Sequence, residues 1–171
     1  MNALEAVTAI RVIDQEGIFT EDIIRQGIAN MKWQGRMETV LPGVIIDGAH
    51  NEAGVEEFVR TARRLEADYP VTLLFAAVGD KDYPHMIETI CRELRLERVI
   101  VTEVGGYRAV EVHKPEELFR RFGQKDVEAY PDVEEAFARA LEQKGDGILF
   151  CVGSLYLVGS IKAILRRKQH D

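Results

Sequence analysis

Val71-Thr72-Leu73-Leu74-Phe75-Ala76-Ala77-Val78, followed at once by Gly79-Asp80-Lys81-Asp82, is the stretch on which the fold turns. Thr72 is its only polar residue, so the run does not alternate. A strand of that kind is covered on both faces, as in a parallel sheet with helices on either side. The polar tetrad is then the loop at its carboxyl end, and Met86, Ile87, Ile90 and Leu94 follow at helical spacing. The same unit recurs outward in both directions. Upstream, Val44-Ile45-Ile46-Asp47 is an apolar run closing on an acid, and Val55, Phe58, Val59, Ala62 and Leu65 mark one helical face. Downstream, Arg98-Val99-Ile100-Val101-Thr102 reads as a strand, and Pro115 opens a helix bearing Leu118, Phe119 and Phe122. Val127-Glu128-Ala129-Tyr130 reads as a short edge strand, and Pro131, at a first helical position, starts a helix with Ala136, Phe137 and Ala140 inward. Gly147-Ile148-Leu149-Phe150-Cys151-Val152 is a last buried strand, with Gly153-Ser154 and a helix from about Leu155 to Leu165 behind it. Strand and helix in alternation predict an α/β fold, Rossmann-like and doubly wound, with a mostly parallel sheet of about five to six strands flanked by helices.

The first thirty residues differ. Ala3, Leu4, Val7, Ile10 and Ile13 recur at steps of three and four until Gly17, and Thr20-Glu21-Asp22 starts a second short helix with Ile23, Ile24 and Ile28 on one face. Two helices of this size bury no core alone, so they must pack on something else. Composition narrows the rest. With 22 Lys+Arg against 29 Asp+Glu the net charge is −7, which argues against a surface that wraps nucleic acid or anionic lipid. No apolar run approaches the roughly 20 residues of a membrane helix, and nothing resembles a signal peptide, so a cytoplasmic location is expected. Cys91 and Cys151 sit in apolar surroundings without metal-ligand spacing, and no metal site is expected.

In an open α/β sheet, ligands gather at the carboxyl ends of the strands. Three polar, glycine-bearing loops lie there: Asp47-Gly48-Ala49-His50-Asn51, Gly79-Asp80-Lys81-Asp82, and Gly153-Ser154. Each precedes a helix, whose free amides favour an anion, although Asp, Asn, Ser and Gly are also ordinary turn residues. The patterns GxxxxGK[ST], GxGxxG after the first strand, and GxSxG are all missing from the sequence.

Asp47-Gly48-Ala49-His50-Asn51, preceded by Trp33-Gln34-Gly35-Arg36-Met37-Glu38, resembles the W-x-G-R-x-E…D-x-A-H-N signature of the folylpolyglutamate synthases, which are Mur-type ATP-dependent amide ligases. The likeness continues through Gly79-Asp80-Lys81-Asp82, Arg108 before Pro115-Glu116-Glu117-Leu118, and Gly153-Ser154-Leu155-Tyr156-Leu157-Val158-Gly159. Met1-Asn2-Ala3-Leu4-Glu5-Ala6 is similar to the tail of the family's central ATPase domain. The resemblance implies a division into residues 1–32, a helical remnant of that domain, and residues 33–171, a C-terminal glutamate-ligase domain. It implies a reaction in which ATP phosphorylates a substrate carboxylate and the glutamate nitrogen attacks the acyl phosphate. In this family the phosphate-binding loop, the Mg2+ ligands and a carbamylated lysine belong to the parts that precede. The implied partners are therefore ATP, L-glutamate, a folate or dihydropteroate, and a P-loop ATPase domain, with Mg2+ and ATP held mainly by the latter. The isolated chain is expected to be inactive.

Carried over residue by residue, the resemblance gives Asn2, Arg36 and Asp47 to ATP, Arg36 and His50 to the chemistry, and Ser154, Tyr156 and His50 to glutamate. Asn51, Lys81 and Asp82 are further possible contacts. The plainer readings stand beside these: a helix cap for Asn2, Asp47 and Asn51, a solvated hinge for Arg36, a satisfied loop histidine for His50, a solvated turn for Lys81 and Asp82, and core for Tyr156. Two other functions also remain open: a stand-alone Rossmann-like module binding a nucleotide or phosphorylated metabolite without turnover, and a purely structural interaction domain.

Overall fold

The first stretch folds as its periodicity predicts, into α1 (Ala3–Ile13) and α2 (Glu21–Ala29), in the computed structural model, which describes residues 3–31 and 33–168. Thr20 caps α2 by accepting from the Ile23 amide, and the Asp14 carboxylate accepts from the amides of Ile18 and Phe19 in the connecting turn. None of the residues of α2 is buried, and Leu4, Val12 and Ile13 on α1 are largely exposed. These helices fall in one unit, Met1–Gln34, and everything that follows forms a second, Gly35–Asp171.

The second unit runs β1 (Glu38–Leu41), β2 (Val44–Ile46), α3 (Glu52–Glu66), β3 (Val71–Phe75), α4 (Tyr83–Glu93), β4 (Leu96–Val101), α5 (His113–Arg121), β5 (Val127–Ala129), α6 (Val133–Gln143), β6 (Ile148–Val152) and α7 (Leu155–Arg167). The sheet order is β1-β2-β6-β3-β4-β5, and every pairing is parallel except β1 with β2. The doubly wound, mostly parallel sheet is thus present, with β5 at one edge.

Side chains alternate across the sheet, and each face has its own helices. Ile45, Leu73, Phe75, Val99 and Phe150 face α3, α4 and α5, where Phe58 meets Phe150 edge-on at 5.3 Å and Phe75 meets Phe119 at 5.4 Å. Val44, Ile46, Leu74, Ile100 and Cys151 face α6 and α7. All five residues of β3 and of β6 are buried, which is why those runs show no polar alternation.

Three local expectations need correction. Pro115 does not open α5, which begins two residues earlier at His113, so the proline sits within its first turn, where its missing amide costs no hydrogen bond. Pro131 does not begin α6: Asp132 is the cap, accepting from the Glu135 amide, so Pro131 lies outside the helix. A carboxylate acceptor satisfies an otherwise orphaned amide, and that fixes the start at Val133, two residues later than the proline suggests. The apolar run from Val71 is also not all strand. β3 ends at Phe75, and Ala76, Ala77 and Val78 carry the buried chain into the loop.

Candidate functional site

The strand order decides where the three polar loops go. β6 lies between β2 and β3, and its following helix α7 is on the opposite face from α3 and α4, which follow those neighbours. Neighbouring strands whose connections leave to opposite sides open a crevice at their carboxyl ends. A cleft of about 400 Å³ lies there, lined by His50, Val78, Lys81, Arg108, Ser154, Leu155 and Tyr156. Four of the residues singled out in the sequence, His50, Lys81, Ser154 and Tyr156, therefore meet in one place.

Each is held by local structure. Gly153, with φ +111°, turns the chain out of β6 where the ring of Phe75 and the Ala76 carbonyl leave no room for a side chain. Ser154, almost wholly buried, then caps α7 by accepting from the Tyr156 amide at 3.1 Å. His50 lies behind Gly48, with Nδ1 2.7 Å from the Gly48 carbonyl oxygen. A carbonyl only accepts, so Nδ1 carries a proton, and Nε2 is the nitrogen left to exchange one.

Arg108 is the member that sequence reasoning passed over as a site residue. The short 3-10 turn Gly106–Arg108 follows β4, and the loop behind β3 pairs with it through the Gly79 amide to the Arg108 carbonyl at 2.9 Å. Its guanidinium donates to Asp80 at 3.1 Å and to the Tyr156 hydroxyl at 2.8 Å, and lies 5.3 Å from the centre of the Tyr156 ring. Asp80 first, then the Tyr156 hydroxyl, keeps the guanidinium firmly protonated. Its one signal in the sequence is position: it sits in a glycine-bearing loop behind a strand, as the other three loops do. Lys81, the amino end of α7 and Arg108, the last paired with Asp80, bring positive groups to this crevice on a protein of net charge −7.

Arg36 and Asp47 lie beside one another in a second cluster. Asp47 is buried at the end of β2, and burial raises its pKa despite two amides that favour the charged form. Those amides belong to Met37, at 2.8 Å from Oδ2, and Ala49, at 2.8 Å from Oδ1. Asp47 therefore ties the Arg36-bearing segment to its own loop, and Asn51, not Asp47, caps α3 by accepting from the Gly54 amide. Asp82 caps α4 through the His85 amide. Arg36 is exposed, and its charge is felt at Asp47. Asn2 lies outside the described residues. Among the described residues no group of three or more His, Cys, Asp or Glu is gathered to hold a metal, and no helix is long and apolar enough to cross a membrane.

Residues 35–155 match the family model of the Mur ligase, glutamate ligase domain. The chain is 28% identical over 172 residues to the dihydrofolate synthase/folylpolyglutamate synthase of Bacillus subtilis, a match covering 96% of this chain and 38% of that protein. It is 28% identical over 148 residues to the folylpolyglutamate synthase of Lacticaseibacillus casei, covering 85% of this chain and 33% of that protein. Among solved structures, E. coli FolC in complex with ADP shares the fold with a TM-score of 0.87 at 21% identity, over 99% of this chain and 40% of that one. Folylpolyglutamate synthase from Thermotoga maritima matches at 32% identity with a TM-score of 0.66, over 86% of this chain and 34% of that one. The chain thus spans about two-fifths of the longest-matched relatives.

Proposed function

The chain belongs to the Mur ligase glutamate-ligase domain family, and we propose that it supplies the glutamate site and part of the ATP site of an ATP-dependent ligase that adds L-glutamate to a folate or pteroate. The observation that carries this reading is the meeting of His50, Lys81, Arg108, Ser154 and Tyr156 in one crevice at the reversal of strand order. Glutamate brings two carboxylates. Lys81 and the pinned guanidinium of Arg108 suit one of them, and the amino end of α7 behind Ser154 suits the other.

In the proposed reaction, the acceptor's carboxylate attacks the γ-phosphorus of ATP, which yields an acyl phosphate and ADP. The glutamate amine then attacks the acyl carbon, phosphate leaves, and the amine sheds a proton. His50 lines the crevice proposed for glutamate, and its Nε2 is suited to take that proton. Arg36 is suited to the charge that develops on the transferring phosphoryl group, since a guanidinium matches two oxygens at once. Asp47 orients the Arg36 segment, and Asn2 is assigned to the nucleotide by the family resemblance alone. Residues 1–32 are proposed as the end of the ATPase domain, and residues 33–171 as the glutamate-ligase domain. Mg2+ and the phosphate-binding loop are assigned to a partner region bearing the P-loop.

The test is a coupled assay with the chain supplied beside a P-loop-bearing partner, ATP, Mg2+, labelled glutamate and either tetrahydrofolate or dihydropteroate. ADP release matched one for one by amide formation is expected, with neither from the chain alone. Arg36→Ala should abolish turnover while leaving the melting temperature of the chain in place. Tight nucleotide binding with no amide formed from either acceptor would instead favour a binding module without turnover.

A further inference from the structure

The segment that presents Arg36 is held in an unusual shape. Gly35, at φ +70°, and Met37, at φ +41°, flank Arg36, and both are left-handed. Met37 is the sole non-glycine residue with positive φ among the described residues, and such a position in an L-residue persists only where surrounding contacts over-determine it. Those contacts form a closed set. Asp47 Oδ2 accepts from the Met37 amide at 2.8 Å, and the Gly35 carbonyl accepts from Gly48 at 2.6 Å. Glu38 Oε2 reaches back to accept from the Gly35 amide at 2.6 Å. The same oxygen is 2.7 Å from Lys162 Nζ on α7.

Lys162 is not an ordinary surface cation. With side-chain exposures of 20% and 30%, its pair with Glu38 is the most shielded ion pair among the described residues, whereas Arg11–Glu21 and Arg167–Glu134 are more than half exposed on both sides. Lys162 also lies one helical turn after Val158, and a side chain on Gly35 would touch Val158 Cγ1 at 3.1 Å. The turn therefore rests on one face of α7 and is locked there by the lysine. The first turn of that same helix carries Ser154, Leu155 and Tyr156 into the cleft.

We propose that Lys162 is a positioning residue that, through Glu38, fixes the left-handed turn presenting Arg36 and registers it against α7. What Arg36 then does rests on the ligase reading above, but the clamp itself does not. Removing the cation leaves the Glu38 carboxylate half-shielded without a counter-charge. It then swings to water and gives up the Gly35 amide.

The experiment compares Lys162→Met and Lys162→Arg in the 171-residue chain by amide hydrogen exchange and by trypsin cleavage after Arg36. Lys162→Met should speed exchange at Gly35 by about tenfold and raise cleavage after Arg36, with the strands of the sheet still protected. Lys162→Arg should restore both. If Lys162→Met fails to fold, Glu38→Gln keeps the side-chain shape and should show the same local loosening. Unchanged protection at Gly35, or protection lost evenly over the whole sheet, overturns the proposal. In the assembled ligase, Lys162→Met should lower kcat by about tenfold, with KM for glutamate held within about twofold and rescue by arginine. An unaltered kcat alongside an active parent enzyme also overturns it. An inactive parent enzyme overturns the ligase reading instead, and exchange at Gly35 then decides the clamp by itself.

Discussion

Replacing Gly153 with alanine tests the packing that aims the cleft. At φ +111° the backbone is where an L-residue rarely goes, and a β-carbon would lie 2.7 Å from Phe75 Cε2 and closer still to the Ala76 carbonyl oxygen. Neither obstacle gives way easily. One is main chain, and the other is a ring packed edge-on against Phe119. Backbone strain of this kind costs on the order of 1–3 kcal/mol. Forcing a methyl group into filled space costs about 1–3 kcal/mol more. The sum, about 2–6 kcal/mol, is a large fraction of the roughly 5–15 kcal/mol that holds a domain of this size together. Gly159 supplies the control, because it lies within α7 and a β-carbon there would meet nothing within 4 Å. Gly159→Ala should gain about 0.5–1 kcal/mol from helix propensity. Urea unfolding followed by circular dichroism reads both variants on one scale. If Gly153→Ala unfolds within about 0.5 kcal/mol of the parent, the tight turn out of β6 is not what seats Ser154, and the packing argument is wrong.

Other outcomes follow from single contacts. Glu128 receives Arg139 in a two-pronged pair and also the Tyr130 hydroxyl, and these hold its pKa down to about 2 against an ordinary 4.5. A depressed carboxyl stabilises the fold fully above pH 4.5 and ceases to do so as the pH falls toward 2, so acid titration of stability should be shallower in Glu128→Gln over that window. Ser154→Ala removes the cap of α7 and should cost about 1 kcal/mol in urea unfolding, whatever it does to ligand binding. In the assembled ligase, Tyr156→Phe frees Arg108 from one of its two polar partners and should raise KM for glutamate by about three- to tenfold, the worth of one hydrogen bond, with kcat little changed.

Much of this architecture is readable from hydropathy. A run such as Val71 to Phe75, with no polar alternation, leaves nothing but a strand covered on both faces, and the structure buries every residue of it. The polar loops behind such runs were bound to lie at one edge of the sheet, and His50, Lys81, Ser154 and Tyr156 do meet there. What escaped reading depends on partners distant in sequence. β1 is four residues long and exists because Gly43, at φ +69°, turns it back onto β2. Arg108 becomes part of the cleft through Asp80 and Tyr156, which are 28 and 48 residues away. The cap of α3 is Asn51 and not Asp47, whose carboxylate holds an amide ten residues upstream, and no local pattern announces a bond of that kind.

The insertion of β6 between β2 and β3 also bears on how the molecule is made. β2 and β3 share no hydrogen bonds, and each finds its inner neighbour only in residues 148–152. During synthesis, β3, β4 and β5 and the helices on one face can form before residues 148–152 emerge, while the β1–β2 hairpin stays unattached. The final strand joins the two pieces and, in the same step, brings together the walls of the cleft. Folding of this unit is therefore expected to be slow and dominated by distant pairings, and a growing chain has no ligand crevice until its last strand has docked.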